Sequence, residues 1–130
     1  MSFWARVVCL DVNGRLLLVC RKGDPKDWIL PGGRMDIGEA TLRETAYREC
    51  AEETGVYGTD LIELLHLRHH RSQRPGVIFW AKKWERREPI GEELAAWGTW
   101  RDLEQGDLGP HARDIATSLL GRLAREQRGY

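Results

Sequence analysis

The sequence predicts an α/β fold in which one mixed sheet carries helices on its faces. Three observations predict it. Apolar runs broken by turn signals come first, a capped helical segment follows, and further strands precede an amphipathic end, so the order is strands, helix, strands, helix. The chain has 130 residues, 42% hydrophobic and 31% charged, the size of one compact domain over residues 1–130. Its 20 basic and 20 acidic residues cancel, so no bulk basic field draws in nucleic acid, and an anionic partner must be met by a local site.

Residues 3–12 and 15–21 read as strands, with Asn13-Gly14 between them as a hairpin signal. A polar loop over 22–27 leads to a short strand, Trp28-Ile29-Leu30, closed by Pro31-Gly32-Gly33. Thr41 and Glu44 form a Thr-x-x-Glu capping box, which starts a helix at Leu42. The helix ends at Thr54, with Gly55 as a left-handed cap. Strands are expected over 60–70 and 76–85, joined by the turn at 72–76, and another over 96–100. A helical turn is expected over 102–105. Residues 111–127 read as an amphipathic helix with Ile115, Leu119, Leu120 and Leu123 on one face.

No apolar run approaches the roughly 20 residues of a membrane span, and the first residues lack the layout of a signal peptide. Cys9, Cys20 and Cys50 are odd in number and set among apolar residues. They read as buried small hydrophobes of a reducing compartment, so the expected location is cytoplasmic. The expected assembly is a monomer or homodimer with no stable nucleic-acid partner.

Glu49, Glu52 and Glu53 stand at i, i+3 and i+4, on one side of the helix. Like charges at these spacings repel by about 0.2–0.5 kcal/mol per pair. Glu52 and Glu53 also lie in the last turn, where the helix dipole disfavours anions by about 0.3–1 kcal/mol each. Three hard oxygen ligands on one spot suit Mg²⁺ or Mn²⁺. A solvated acidic face relieved by Arg48 is the alternative. The preceding Pro31-Gly32-Gly33 lets backbone approach a ligand closely, and its carbonyls can join a metal's shell.

The segment GGRMDIGEATLRETAYRECAEETGV, residues 32–56, resembles the signature box of the Nudix hydrolases. Gly33, Glu39, Arg48-Glu49, Cys50, Glu52-Glu53, Gly55 and Val56 fit its fixed positions, and Trp28-Ile29-Leu30-Pro31 is typical of what precedes it. The length and flanking elements extend the similarity to the short MutT-like members. There is one departure. Eight residues separate Glu39 from Arg48, one more than in the family pattern. Because Thr41 opens the helix, Ala40 is the inserted residue, in the loop, and the register from Thr41 to Gly55 is kept. The insertion is expected to change the reach of Glu39 and to leave it a minor participant.

The resemblance implies a Nudix-type α/β/α sandwich and divalent-metal-dependent hydrolysis of a nucleoside diphosphate linked to another group. It implies Glu52 and Glu53 as Mg²⁺ (or Mn²⁺) ligands, and Glu49 as a further ligand or as the acceptor of the water's proton. Arg48 then orients Glu49 or Glu52, and Gly33 contributes its carbonyl. A further acidic ligand is expected from a later loop, with Glu93 favoured over Glu92. Arg21 and Lys22 are placed where related proteins hold phosphate. The Arg68, Arg71 and Arg74 cluster can meet a phosphate or a sugar edge. Trp4 and Phe79 are candidates to stack on a base, while the other tryptophans read as core. His66, His69 and His70 read as a polar strand end, with an incomplete metal set as the alternative. No substrate mark is present. Small size favours a nucleoside triphosphate pyrophosphohydrolase of the housecleaning type. A hydrolase of ADP-ribose or another nucleoside diphosphate derivative, or a nucleotide sensor of the same fold that does not cleave, are the alternatives.

Overall fold

A computed structural model describes residues 2–20, 24, 27–88 and 94–128. The elements are β1 (Trp4–Val8), β2 (Leu16–Cys20), β3 (Trp28–Ile29), β4 (Gly32–Arg34), α1 (Leu42–Thr54), β5 (Val56–Arg68), β6 (Pro75–Arg86), β7 (Leu94–Gly98), α2 (Trp100–Glu104) and α3 (Ala112–Arg128), the last preceded by a 3₁₀ turn over Gly109–His111.

The main sheet has the order β4-β1-β6-β5. β1 runs parallel to β6 and antiparallel to β4, and β5 and β6 are antiparallel, so the sheet is mixed as expected. Its strands are apolar on both faces because both are covered. Ala5, Val7 and Cys9 of the β1 segment, with Val77, Phe79 and Ala81 of β6, meet Ala46 and Cys50 of α1. The alternate residues Trp4, Val8, Ile78 and Trp80 pack with Leu103, Ile115 and Leu119 on the other side. The result is a helix–sheet–helix sandwich.

The N-terminal hairpin is the main surprise. The turn forms, with Gly14 at φ 77° and the Gly14 amide donating to the Asp11 carbonyl at 3.0 Å. Beyond the Leu10–Leu16 bridge the two strands part. β2 joins a second sheet, ordered β3-β2-β7, because its neighbours pair there instead. β7 lies two residues earlier than expected: Trp100 already belongs to α2, which Thr99 caps. α3 buries Ile115 and Leu119, but Leu120 is 66% exposed. Five positions from Ile115, Leu120 lies about 140° round the helix and off the apolar stripe. Cys9, Cys20 and Cys50 are all buried, and burial pushes the Cys50 thiol up to about 12.

Candidate active site

α1 presents the carboxylates, and its ends fix where they stand. The Thr41 hydroxyl accepts from the Glu44 amide at 3.2 Å. The Glu44 carboxylate reaches past Thr41 and accepts from the Ala40 amide at 3.0 Å. Ala40 therefore lies outside the helix. α1 is regular from Leu42 to Thr54, without a bulge. Gly55 takes φ 73° and its amide donates to the Ala51 carbonyl at 2.9 Å. No basic residue occupies the last turn.

Arg48 sits at the centre of the acidic groups. Its Nε and Nη2 donate to the two Glu39 carboxylate oxygens at 3.0 and 3.1 Å, a forked pair. Nη1 donates to Glu49 Oε1 at 2.9 Å and to Glu52 Oε2 at 3.3 Å. Nη2 also reaches the Arg34 carbonyl at 3.2 Å. Arg48 thus orients both glutamates that the sequence offered it as alternatives. Glu39 accepts in addition from the Asp36 amide at 2.7 Å and the Thr45 hydroxyl at 3.0 Å. The Arg48 guanidinium, with these donors, holds its carboxyl down at about 2. Glu39 is thus the anchor of Arg48, a contact that the sequence reading did not assign to it.

Glu53 is turned inward, 8% exposed, and its Oε1 accepts from the Gly32 amide at 3.0 Å. β4 is the surface against which these carboxylates rest. A Cβ on Gly33 would lie 2.6 Å from the Glu49 carboxyl carbon, so only glycine lets that carboxylate lie across the strand. Glu49, Glu52 and Glu53 share the side of α1 beside β4, but their oxygens do not converge to within ligand distance of one another. Among the described residues the one group of three that does so, to within 4.8 Å, is His69, His70 and Asp107.

That histidine group is built for another purpose. His69 Nδ1 accepts from the Arg71 and Ser72 amides at 3.1 and 3.2 Å. The proton must then be on Nε2, which donates to Asp107 Oδ2 at 2.7 Å. Both ring nitrogens are engaged, and the Arg71 guanidinium pairs with the other Asp107 oxygen. The residues do not fit a cation there. The carboxylates of α1, hard oxygen donors with a single arginine among them, are the set that could hold one.

Beside the carboxylates, on the other face of β1 and β4, is a cavity of about 290 Å³. Trp4 and Leu108 supply its apolar part, and Arg6, Arg34, Arg71 and Arg74 its basic part, with Gly33 on its wall. Trp4 was a stacking candidate, and Arg71 and Arg74 were candidate anion contacts. Arg6, Arg34 and Asp107 were missed, although an arginine interrupting the apolar β1 run was a visible signal. Phe79 is not available to a base: it is 1% exposed in the core under α1, with the Arg43 guanidinium 5.2 Å over its ring. Arg68 does not line the cavity, because its Nη1 is turned to the Gln73 carbonyl at 2.9 Å and braces the β5–β6 turn. Arg21, Lys22, Glu92 and Glu93 lie outside the described residues.

The NUDIX domain family profile matches residues 4–119, nearly the whole sandwich. The chain belongs to the NUDIX domain family. Over 51 residues it is 51% identical to a Bacillus subtilis (strain 168) protein provisionally named an 8-oxo-dGTP diphosphatase, a stretch covering 39% of this chain and 33% of that one. It therefore spans about a third of the length of that curated relative. Among solved structures, a MutT NUDIX hydrolase from Burkholderia pseudomallei aligns with TM-score 0.61 and 25% identity over 80% of this chain and 96% of that one. An ADP compounds hydrolase aligns with TM-score 0.67 and 23% identity over 98% and 75%. The NUDIX fold of this chain is thereby shown, and no helix of the described residues is long and apolar enough to cross a membrane.

Proposed function

We propose that this NUDIX chain is a divalent-metal-dependent pyrophosphohydrolase acting on a nucleoside diphosphate linked to another group, with nucleoside triphosphates of the housecleaning type as its first substrate class. The observation that carries the reading is the Arg48 network, which gathers Glu39, Glu49 and Glu52 at the C-terminal half of a helix that has no other base there. The names of the relatives agree with it. Glu52 and Glu53 would hold Mg²⁺ or Mn²⁺, with Glu49 as a further ligand or as the acceptor of the water's proton, and the Gly33 carbonyl would be a further donor. The ion supplies charge neutralisation of the diphosphate and acidifies a water.

The chain's own residues prepare the rest. The Gly32 amide fixes one oxygen of Glu53. Arg48 occupies Glu49 Oε1, which leaves Oε2 to accept the proton of the attacking water, unless Glu49 is itself a ligand. Arg48 Nη1 also donates to Glu52 Oε2 at 3.3 Å. This work is positioning and electrostatics. Glu93 as an extra ligand and Arg21 as a phosphate contact belong to the same proposal. So does a cytoplasmic setting, which the buried cysteines support.

The test is release of the nucleotide products, separated by chromatography, from dGTP, 8-oxo-dGTP, ADP-ribose and dinucleoside polyphosphates, with and without Mg²⁺. Glu53→Gln should lower turnover on the order of 10³-fold while the fold is kept. Nucleotide binding with no metal-dependent release from any of them would replace the hydrolase with a sensor. Release from ADP-ribose alone would move the substrate class.

A further inference from the structure

From the arginine-lined cavity we infer that the favoured substrate carries a further phosphate monoester on its sugar, received by Arg34 and Arg74. This rests on the reading above that the ligand is a nucleoside diphosphate derivative, and within that class it moves the preference from plain nucleoside triphosphates to a derivative phosphorylated on its sugar. The cavity is asymmetric in chemistry. Four guanidinium groups line it against the one carboxylate of Asp107, in a chain whose 20 basic and 20 acidic residues cancel as a whole. That carboxylate is already committed. It is 3% exposed, and His69 and Arg71 take its two oxygens. Arg6 donates to the Leu30 carbonyl at 2.7 Å. Among the described residues, the Arg34 and Arg74 side chains have no hydrogen bond or ion pair.

These two residues are held to the same wall. Arg34 is the cross-strand partner of Trp4, so both side chains stand on one face of the sheet. The Trp4 indole Nε1 donates to the Arg74 carbonyl at 2.8 Å, which fixes the backbone of the turn bearing Arg74 over the same tryptophan. The His69 tautomer fixes that turn from its other side, through the Arg71 and Ser72 amides. The uncommitted charged groups of the wall are thus guanidinium donors, while the Ser72 hydroxyl beside them accepts from the Arg74 amide at 3.3 Å. A neutral base edge needs acceptors as well as donors, whereas a phosphate offers acceptors alone and suits the planar guanidinium fork. The volume, near the small end of the roughly 300–1,000 Å³ of ligand pockets, leaves room for a sugar against Trp4 and Leu108.

The experiment has a binding arm and a turnover arm. Calorimetry in EDTA compares adenosine 3′,5′-bisphosphate and adenosine 2′,5′-bisphosphate with AMP. At least one bisphosphate should bind ten times more tightly than AMP or better, with an advantage that shrinks as salt is raised. Arg34→Gln with Arg74→Gln should erase the difference, and the Lys pair should restore part of it, with melting curves confirming that each variant folds. Hydrolysis with Mg²⁺ then compares NADPH with NADH and coenzyme A with its dephospho form. A preference for a phosphorylated member, lost in the double Gln variant, is the expected result. Equal binding of AMP and both bisphosphates, or a preference that survives the double substitution, overturns the inference. An intact binding difference with no hydrolysis of any compound leaves the phosphate site standing and removes the hydrolase instead.

Discussion

Arg48 is the residue on which the acidic cluster depends, and Glu39 is what holds Arg48. Because the folded Glu39 carboxyl is lowered from its ordinary 4.5 to about 2, its contribution to stability is complete above 4.5 and is lost as pH falls toward 2. Glu39→Gln, measured without metal, should therefore melt about 5–10 °C below the parent at neutral pH, the scale of a lost charge-assisted bond. The gap should close progressively between pH 4.5 and pH 2. A gap that persists at pH 2 would mean the side chain acts through packing alone. Gly33 offers a second measurement. The obstacle to a Cβ there is the far end of Glu49, which is able to swing aside. Gly33→Ala should keep its melting temperature within about 2 °C, less than one kcal/mol, while turnover falls about tenfold or more because Glu49 is displaced.

α1 was legible element by element because its signals are local. Thr41 and Gly55 cap it where the sequence placed the caps, and the three glutamates keep one register. The hairpin was only half legible. Asn13-Gly14 reports the turn, but the partner that draws β1 away is β6, with Trp4 opposite Gly76, and no local pattern shows such a pairing. The arginine cavity was hidden for the same reason, since β1, β4 and the β5–β6 turn meet only in space. The grip of Glu39 on Arg48 was not legible because it depends on the path of the loop, which absorbs the extra residue: the Glu39 amide bonds the Asp36 carbonyl at 3.1 Å and the chain resumes at Thr41. Deleting Ala40 leaves α1 unrotated, so activity should stay within roughly tenfold, about 1.4 kcal/mol. A loss of two orders of magnitude would show that the loop path, and with it the grip of Glu39 on Arg48, needs the added residue.

For the molecule as a whole, the carboxylates of α1 repel one another and are relieved by one arginine, so a bound cation adds stability by mass action. Melting should rise by several degrees between EDTA and millimolar Mg²⁺ or Mn²⁺ if the metal's dissociation constant is about a tenth of that concentration or lower. No shift at that concentration would mean that the cation enters only with substrate. The two ends of α1 also differ in how tightly they are joined to the sandwich. At the C-terminal end one residue, Gly55, separates helix from strand, and the Thr54 hydroxyl bonds both the Cys50 carbonyl at 2.6 Å and the Val56 amide at 3.1 Å. At the N-terminal end an exposed loop carries Ala40. In evolutionary terms the helix has a closed door and an open one. A residue gained between Thr54 and Val56 would turn α1 against β5 or shift the pairing of β5 with β6, and selection would remove it. A residue gained before Thr41 costs only loop length, so drift in chain length through this segment should collect on that side.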